Sequence, residues 1–436
     1  MKIGLYLFDN DCRLSDNIAL RQLREKVDHL VCVYFPSPSI WTARKSQTEK
    51  STCVKSFQQN TLYALQTELN QYQQTLFTLP DPLALSHLIR LIKDLNISHV
   101  ARSVHPGYDE QKVWQALQHE LLDVEFISAY SATLFNLTEL PISLSELPPS
   151  FTPFRKKVDQ LEVRETQAKP ASLPPLPHSA NTLSYLTPVA VKSLPACRFD
   201  AGSHAAKAYL ADYFSDATAQ HYKQTRNALM GQRFSTQFSP YLASGAISPV
   251  EVVAALQQYE QQFGSNESTY WIWFELLWRE YFHWYSLKHG ERLFAFSGVK
   301  GKTPKTSFYP ERYHKWCEGK TPSPLINAIM NELNATGWIS NRARQITASY
   351  FVNELQLDWR YGAAYFEQRL IDYDVAANWG NWQYIAGVGA DPRGGRHFNI
   401  AKQQQQFDPN GDYIKAWQGK SYPDLDSRDY VDWPKE

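Results

Sequence analysis

Cysteine is scarce in this sequence and nowhere paired: Cys12, Cys32, Cys53, Cys197 and Cys317 are scattered without a C-x-x-C motif. That excludes a thiolate zinc site and a disulfide framework, and it fits reduced thiols in a cytoplasmic protein. An excess of one charge is also missing, because 44 Lys and Arg face 44 Asp and Glu. A nucleic-acid partner would therefore be held by a local basic patch rather than by a global field. No apolar run reaches the ~20 residues of a membrane span. The run from Ile3 to Phe8 stops at Asp9, too short for a signal peptide, so a soluble protein with no membrane partner is expected. Glycine is absent from the turn after that run, which reads Asp9-Asn10-Asp11-Cys12-Arg13. The ordinary G-x-G-x-x-G dinucleotide cradle is thereby excluded.

What is present divides the 436 residues into two domains, more than one compact core accommodates. Lys2 to Phe8, His29 to Phe35, Thr75 to Leu79, His99 to Ser103 and Val124 to Ser128 read as strands. Helical patterns at Asn17 to Val27, Lys55 to Gln71, Pro82 to Leu95 and Asp109 to Glu120 alternate with them. This predicts an α/β N-terminal domain over residues 1–130, a parallel doubly wound sheet that takes ligands at the carboxyl ends of its strands. Ten of the 25 prolines fall between Leu140 and Pro195. They predict a long Pro-rich linker over 131–199, without persistent regular structure apart from a turn or helix near Phe151 to Asp159. Beyond it the period is helical, at His204 to Ser215, Ser248 to Phe263, Tyr270 to His289, Pro324 to Glu332, Ser340 to Gln356, Trp359 to Asp372 and Asp374 to Val388. A large all-helical C-terminal domain over 200–436 follows. Eleven of the 13 tryptophans lie from Trp271 onward, so indole rings are used there.

Side chains that are costly to bury unpaired concentrate between Asn331 and Asn399. Earlier, Glu275, Trp278 and Arg279 fall at i, i+3 and i+4 and share one helix face. Among Trp271, Trp273, Phe274, Tyr281 and Trp284, that face is either a structural ion pair or one wall of a cavity for a flat, hydrogen-bonding ligand such as a base. Trp338, Arg342 and Gln345 share a second face, with Asn341 and Arg344 one step round. Arg344 points inward and requires a carboxylate, Asp372 or Asp374. The stretch Gly231-Gln232-Arg233-Phe234-Ser235-Thr236-Gln237-Phe238-Ser239 precedes a helix at Pro240 and offers its hydroxyls and amides either to an anion or as caps. Asp372, Asp374, Asn378, Trp379, Asn381 and Trp382 come with no histidine close by. A large organic cofactor fits them better than a metal.

These residues sit in longer motifs. RLSDNIAL, FTPFRKKVD, YKQTRNALMGQRFSTQFSPYLASGAIS, FELLWREYF, TGWISNRARQITASYF, DWRYGAAYFEQRLIDYDVAANWGNWQYIAGVGADPR and FNIAKQQQQFDP together resemble the photolyase and cryptochrome family, most of all its DASH branch. The resemblance covers essentially the whole chain. It implies an α/β antenna domain joined to a helical domain that buries FAD. The implied FAD contacts are Tyr222, Ser235, Thr236, Gln237, Phe238, Ser239, Arg279, Trp338, Asn341, Arg344, Asp372, Asp374 and Asn378. A pocket for a flipped-out pyrimidine dimer is implied at Glu275, Trp278, Asn341, Gln345, Tyr384 and Arg396, with Arg226, Arg342 and Gln403 as further DNA contacts. Gln345 and Tyr384 stand where duplex-acting members carry methionine and tryptophan, which implies a single-stranded substrate.

The implied reaction is light-driven splitting of cyclobutane pyrimidine dimers by an electron from excited, reduced FAD, by a monomer. Glu275 and Asn378 would be catalytic, and Trp382 and Trp359 would begin the chain that photoreduces the flavin. Asp109 and Glu110 are the nearest acidic candidates for a 5,10-methenyltetrahydrofolate antenna, or an ordinary acidic first turn. The chain departs from the family pattern at Thr306, where an outer tryptophan is expected and Tyr309 or Trp316 could substitute, and at Asn327, where aspartate is usual. Leu7, Phe8 and Asp9 replace the common Trp-Phe-Arg, and no W-x-P-E-L follows Ile414. A different reading is a blue-light photoreceptor that binds FAD and nucleic acid without efficient repair. The retained Glu275 and Asn378, and the lack of a long tail, weigh against it.

Overall fold

The apolar run Ile3–Phe8 forms strand β1, and all six residues are buried. Tyr6 and Phe8 enter one core with Leu20 and Leu23, while Ile3, Leu5 and Leu7 enter another with Leu88 and Leu91. Alternate side chains thus fill two opposite cores, as a strand covered on both faces requires. Strands β2 (His29–Tyr34), β3 (Leu76–Thr78), β4 (His99–Ser103) and β5 (Glu125–Ala129) pair in parallel around it. A sixth strand, β6 (Thr187–Pro188), completes the order β5-β4-β1-β2-β3-β6. Helices α1 (Ile18–Arg24), α2 (Thr52–Asn70), α3 (Leu85–Asp94) and α4 (Tyr108–Glu120) connect the parallel strands. The computed structural model describes residues 1–35, 50–79, 85–190, 193–196, 198–231 and 233–423; Cys197, Gln232 and the expected helix start at Pro82 lie outside them.

The proline-rich stretch carries more structure than its composition predicts. Helix α5 (Phe151–Val158) stands where one was expected, but β6 was not expected and pairs antiparallel with β3. Proline lacks a donor and still offers a carbonyl, so it is tolerated at a sheet edge. The carbonyls of Pro170 and Pro175 accept from Tyr72 Oη at 2.9 Å and Leu30 N at 3.1 Å. The stretch is therefore fastened along the α/β half.

From Ser203 onward the chain is helical: α6 (Ser203–Tyr213), α7 (Tyr222–Thr225), α8 (Ser239–Ser244), α9 (Pro249–Phe263), α10 (Glu267–His289), α11 (Pro310–Cys317), α12 (Pro324–Thr336), α13 (Asn341–Asn353), α14 (Trp359–Arg369), α15 (Val375–Ala386), α16 (Ile400–Phe407) and α17 (Asp412–Ala416). The sequence pattern does not reveal α11, α16 and α17, which are too short to display a period. The 23-residue α10 starts at Asn266, whose side chain accepts from Ser268 N and Thr269 N. Helix α15 lies flush against its neighbours. A Cβ on Gly380 would stand 2.3 Å from the Phe282 ring of α10, and one on Gly362 of α14 would stand 2.2 Å from the Trp382 indole.

Two buried polar groups tie the parts of the chain together. Arg13 donates to the carbonyls of Gly245, Asp16 and Ser131. Glu280 of α10 accepts from Leu134 N at 2.9 Å, Phe135 N at 3.4 Å and Trp284 Nε1 at 2.8 Å. A buried charge is tolerable only when its bonds are made in this way. Among the described residues no helix is long and apolar enough to cross a membrane.

Candidate cofactor and nucleic-acid site

A cavity of about 650 Å³ opens among α7, α8, α10, α13 and α15. Local signals shape its walls. Gly337, with φ of 72°, ends α12 and turns the chain so that Trp338 faces the cavity. Ser340 then caps α13 by accepting from Ala343 N at 3.2 Å, and Asp374 caps α15 by accepting from Ala377 N at 2.9 Å. The lining includes Tyr222, Arg226, all five residues from Ser235 to Ser239, Glu275, Trp278 and Arg279. From the later helices it includes Trp338, Asn341, Arg342, Arg344, Gln345, Asp372, Asp374, Asn378, Trp382 and Tyr384. Among the described residues no group of three or more His, Cys, Asp or Glu could hold a metal.

The floor is built on Asp372, whose side chain is fully buried. Its Oδ2 accepts from Arg344 Nη2 at 2.7 Å and from Ser239 Oγ at 2.5 Å, so the partner of Arg344 is Asp372 rather than Asp374. Its Oδ1 is buried without a hydrogen-bond partner, an acceptor left for a ligand. Trp338 Nε1 donates to Ser239 Oγ at 3.3 Å, and the Arg198 guanidinium covers the Trp338 ring at 4.3 Å. Gln237 holds a left-handed φ of 50° in the Ser235–Ser239 loop, the kind of backbone strain that persists where a binding loop is over-determined by its surroundings. The cavity's size, the free acceptor on Asp372 and the donors of Arg344, Arg279 and the Ser235–Ser239 loop fit a large nucleotide-containing cofactor.

The rim is charged and aromatic. Arg226 Nη2 meets Glu275 Oε1 at 2.5 Å. Burial pushes the Glu275 carboxyl up from its ordinary value, and Arg226 opposes that shift. Arg342 donates to Asn227 Oδ1 at 2.9 Å and lies over the Phe407 ring at 4.9 Å. Burial, and then the charge of Arg226, lower its guanidinium below the usual range. Trp278 stacks on Phe151 of α5 with centroids 3.8 Å apart and meets Tyr384 edge-on at 5.9 Å. Asn378 donates its amide to Ala363 O at 3.0 Å, which fixes the side chain in the wall.

Five expected residues stand elsewhere. Trp359 is buried behind the wall, donating to Phe296 O at 3.0 Å with its ring 5.8 Å from Trp379. Arg396 is not in the pocket lining: it donates to the hydroxyl of Tyr384, which is, and pairs with Asp391 at 3.1 Å. Gln403 is on α16, one turn before the Phe407 that lies under Arg342, and thus on the outer approach to the cavity. Asp109 and Glu110 line a separate cavity of about 170 Å³ between the two halves. Glu110 is itself buried and lies 3.7 Å from His105 Nδ1. Sequence reasoning missed Asn227 as a lining residue, and it read Trp271 and Phe282 as apolar surroundings. Trp271 precedes Glu275 and Trp278 by four and seven residues, so helical spacing alone would have placed it on their face.

Comparison with known proteins agrees with this geometry. Residues 4–176 match the DNA photolyase family, and residues 271–426 match the FAD binding domain of DNA photolyase. A protein named Cryptochrome DASH from Idiomarina loihiensis is 47% identical over 99% of this chain and 96% of its own. Its namesake from Xenopus laevis is 34% identical over 95% of this chain and 82% of its own. The crystal structure of a Synechocystis cryptochrome superposes with a TM-score of 0.85 at 33% identity, covering 96% of this chain and 88% of that one. A class III photolyase from Agrobacterium tumefaciens shares the fold, with a TM-score of 0.78 at 24% identity, over 96% of this chain and 86% of that one. With an α/β half before it and an FAD-binding helical half around the cavity, the chain belongs to the photolyase/cryptochrome family, alongside the proteins named Cryptochrome DASH.

Proposed function

We propose that the chain splits cyclobutane pyrimidine dimers under light, preferentially in single-stranded DNA, with FAD held over the Arg344–Asp372 floor. The carrying observation is Glu275: a half-buried carboxyl on the cavity wall, beside Trp278, whose ion-pair partner Arg226 is a side chain that can leave. When bound in its reduced form, FAD supplies an electron to the dimer on light excitation and receives it back once the ring has opened. The chain's part is to bind, orient and hydrogen-bond. Arg344, Asp372, Asn378 and the Ser235–Ser239 loop hold the cofactor. Once a base replaces Arg226 beside Glu275, burial favours the neutral acid, which donates to a dimer carbonyl as that oxygen gains charge.

Trp278, Tyr384 and Gln345 shape the base pocket. The phenol of Tyr384 offers less stacking area than an indole would, so extrusion from a duplex is poorly compensated and an open strand is favoured. Trp382 meets Trp316 edge-on at 6.4 Å, and Trp316 lies 5.4 Å from Tyr365. This gives Trp382 an aromatic neighbour leading away from the cavity, while Thr306 buries a hydroxyl without a hydrogen-bond partner. The cavity beside Asp109 and Glu110 is assigned to the folate antenna.

The test is to illuminate the reduced, purified protein with dimer-containing oligonucleotides and follow thymine recovery. Recovery from single strands at least tenfold above that from duplex is expected. No recovery from either overturns the enzyme reading in favour of a photoreceptor, and equal duplex repair overturns the strand preference.

A further inference from the structure

Trp271 is used by nothing in the mechanism above. It sits at the cavity mouth, half-buried, on the same face of α10 as Glu275 and Trp278 but one turn further out. Its lower edge packs on Phe274, with centroids 4.4 Å apart. Two cations crowd the ring: the Arg226 guanidinium 4.6 Å from its centroid and Lys223 Nζ at 5.9 Å. Lys223 is paired with Glu267 and Arg226 with Glu275, so each cation is held by one carboxylate beside the same indole. A base entering beside Glu275 displaces Arg226 from it and leaves an uncompensated guanidinium at the mouth, next to a flat aromatic ring. Positive charge over an indole suits a nucleotide: once Arg226 swings off the ring to a phosphate, the face it covered is left for a base.

We infer that Trp271, Arg226 and Lys223 form a subsite for one nucleotide that flanks the flipped-out pair, and that Arg226 moves from Glu275 to that nucleotide's phosphate when the pocket fills. The inference rests on the reading of the cavity as a dimer pocket. A purine or pyrimidine stacks equally on an indole, so the subsite is tolerant of sequence. It requires a strand free to splay a neighbouring base, which a paired duplex is not.

The experiment compares binding, in the dark, of a thymine-dimer dinucleotide with that of trinucleotides carrying one extra nucleotide on either side, by fluorescence anisotropy. In the unaltered protein, one of the two extensions should tighten Kd roughly tenfold, the scale of one stacked base. Trp271→Ala should abolish that gain and leave dinucleotide binding and flavin absorbance unchanged, whereas Trp271→Phe should keep most of it. A gain that persists in Trp271→Ala overturns the inference. So does no gain from either extension, or an equal loss for dinucleotide and trinucleotide. A Trp271-dependent gain in a protein that recovers no thymine supports the subsite while removing the repair reading.

Discussion

Helix α10 carries two glutamates with raised carboxyls five residues apart, and the difference between its two faces separates function from architecture. Glu275 and Glu280 both have carboxyls raised by burial, Glu280 to about 7. Residue type and direction of shift are therefore the same, but Glu280 is enclosed by the fold and Glu275 is partly exposed to the cavity. The partner differs as well. Glu280 accepts from two backbone amides and an indole, groups fixed by the fold, so it has no capacity left for a ligand. Glu275 faces a cavity and is satisfied by Arg226, a long side chain with alternatives in reach. A perturbed carboxyl is a candidate site only when its partner can be exchanged.

The sharpest way to break this contrast is to truncate each glutamate. Glu280→Ala leaves three buried donors without an acceptor and should lower stability by about 3 kcal/mol or more, read by urea unfolding. Asp372 combines both situations, being as buried as Glu280 and as cavity-facing as Glu275. Arg344→Met should therefore cost about 3 kcal/mol of stability and also release the flavin, measured by absorbance after gel filtration. Glu275→Ala should change stability by less than ~1 kcal/mol, keep its flavin and lower thymine recovery about tenfold. If Glu275→Ala unfolds the protein, or if Glu280→Ala leaves it intact, the division of the helix into two faces is wrong. A smaller effect tests the wall opposite. Trp316→Phe should slow blue-light reduction of the bound flavin severalfold if Trp316 relays from Trp382, and leave the rate unchanged if it only packs.

Much of this was legible in the sequence, and the gaps have physical causes. Strands β1 to β5 and the long helices α9, α10 and α13 announce themselves because each buries a periodic face. The partner of Arg344 was narrowed to two aspartates, since an inward guanidinium demands a carboxylate. The residues alone did not choose between them, because Asp374 is the N-cap of α15 and both positions read alike; the family motif singled out Asp372, and the structure pairs it with Arg344. The motifs named the lining residues well, yet the Arg226–Glu275 pair joins α7 to α10 across 49 positions, and no local pattern announces it. Phe151 under Trp278 was hidden for the same reason: it lies in the proline-rich stretch, where periodicity is silent. Arg396 was placed in the pocket by its motif, whereas it pairs with Asp391, five residues earlier in the chain, and reaches the lining only through the Tyr384 hydroxyl.

The subtlest consequence of the two-faced helix is the pH dependence that Glu280 contributes. Its carboxyl ionises near 7 in the folded chain and near its ordinary value of 4.5 when unfolded, with desolvation as the leading cause. Between those values the folded state binds the proton more tightly, so Glu280 contributes most stability in acid and loses that contribution as pH rises toward neutrality. Glu280→Gln removes the titration while keeping an oxygen to accept from the amides. Relative to this variant, the unaltered protein should lose about 1 kcal/mol between pH 6 and 7.5, measured by urea unfolding at each pH. Glu275→Gln should change the slope over that window less than Glu280→Gln does, because Arg226 opposes the effect of burial there. Equal slopes for the unaltered protein and Glu280→Gln would mean that the three donors hold Glu280 ionised throughout, and the back face of α10 would then be an anion site completed by the fold.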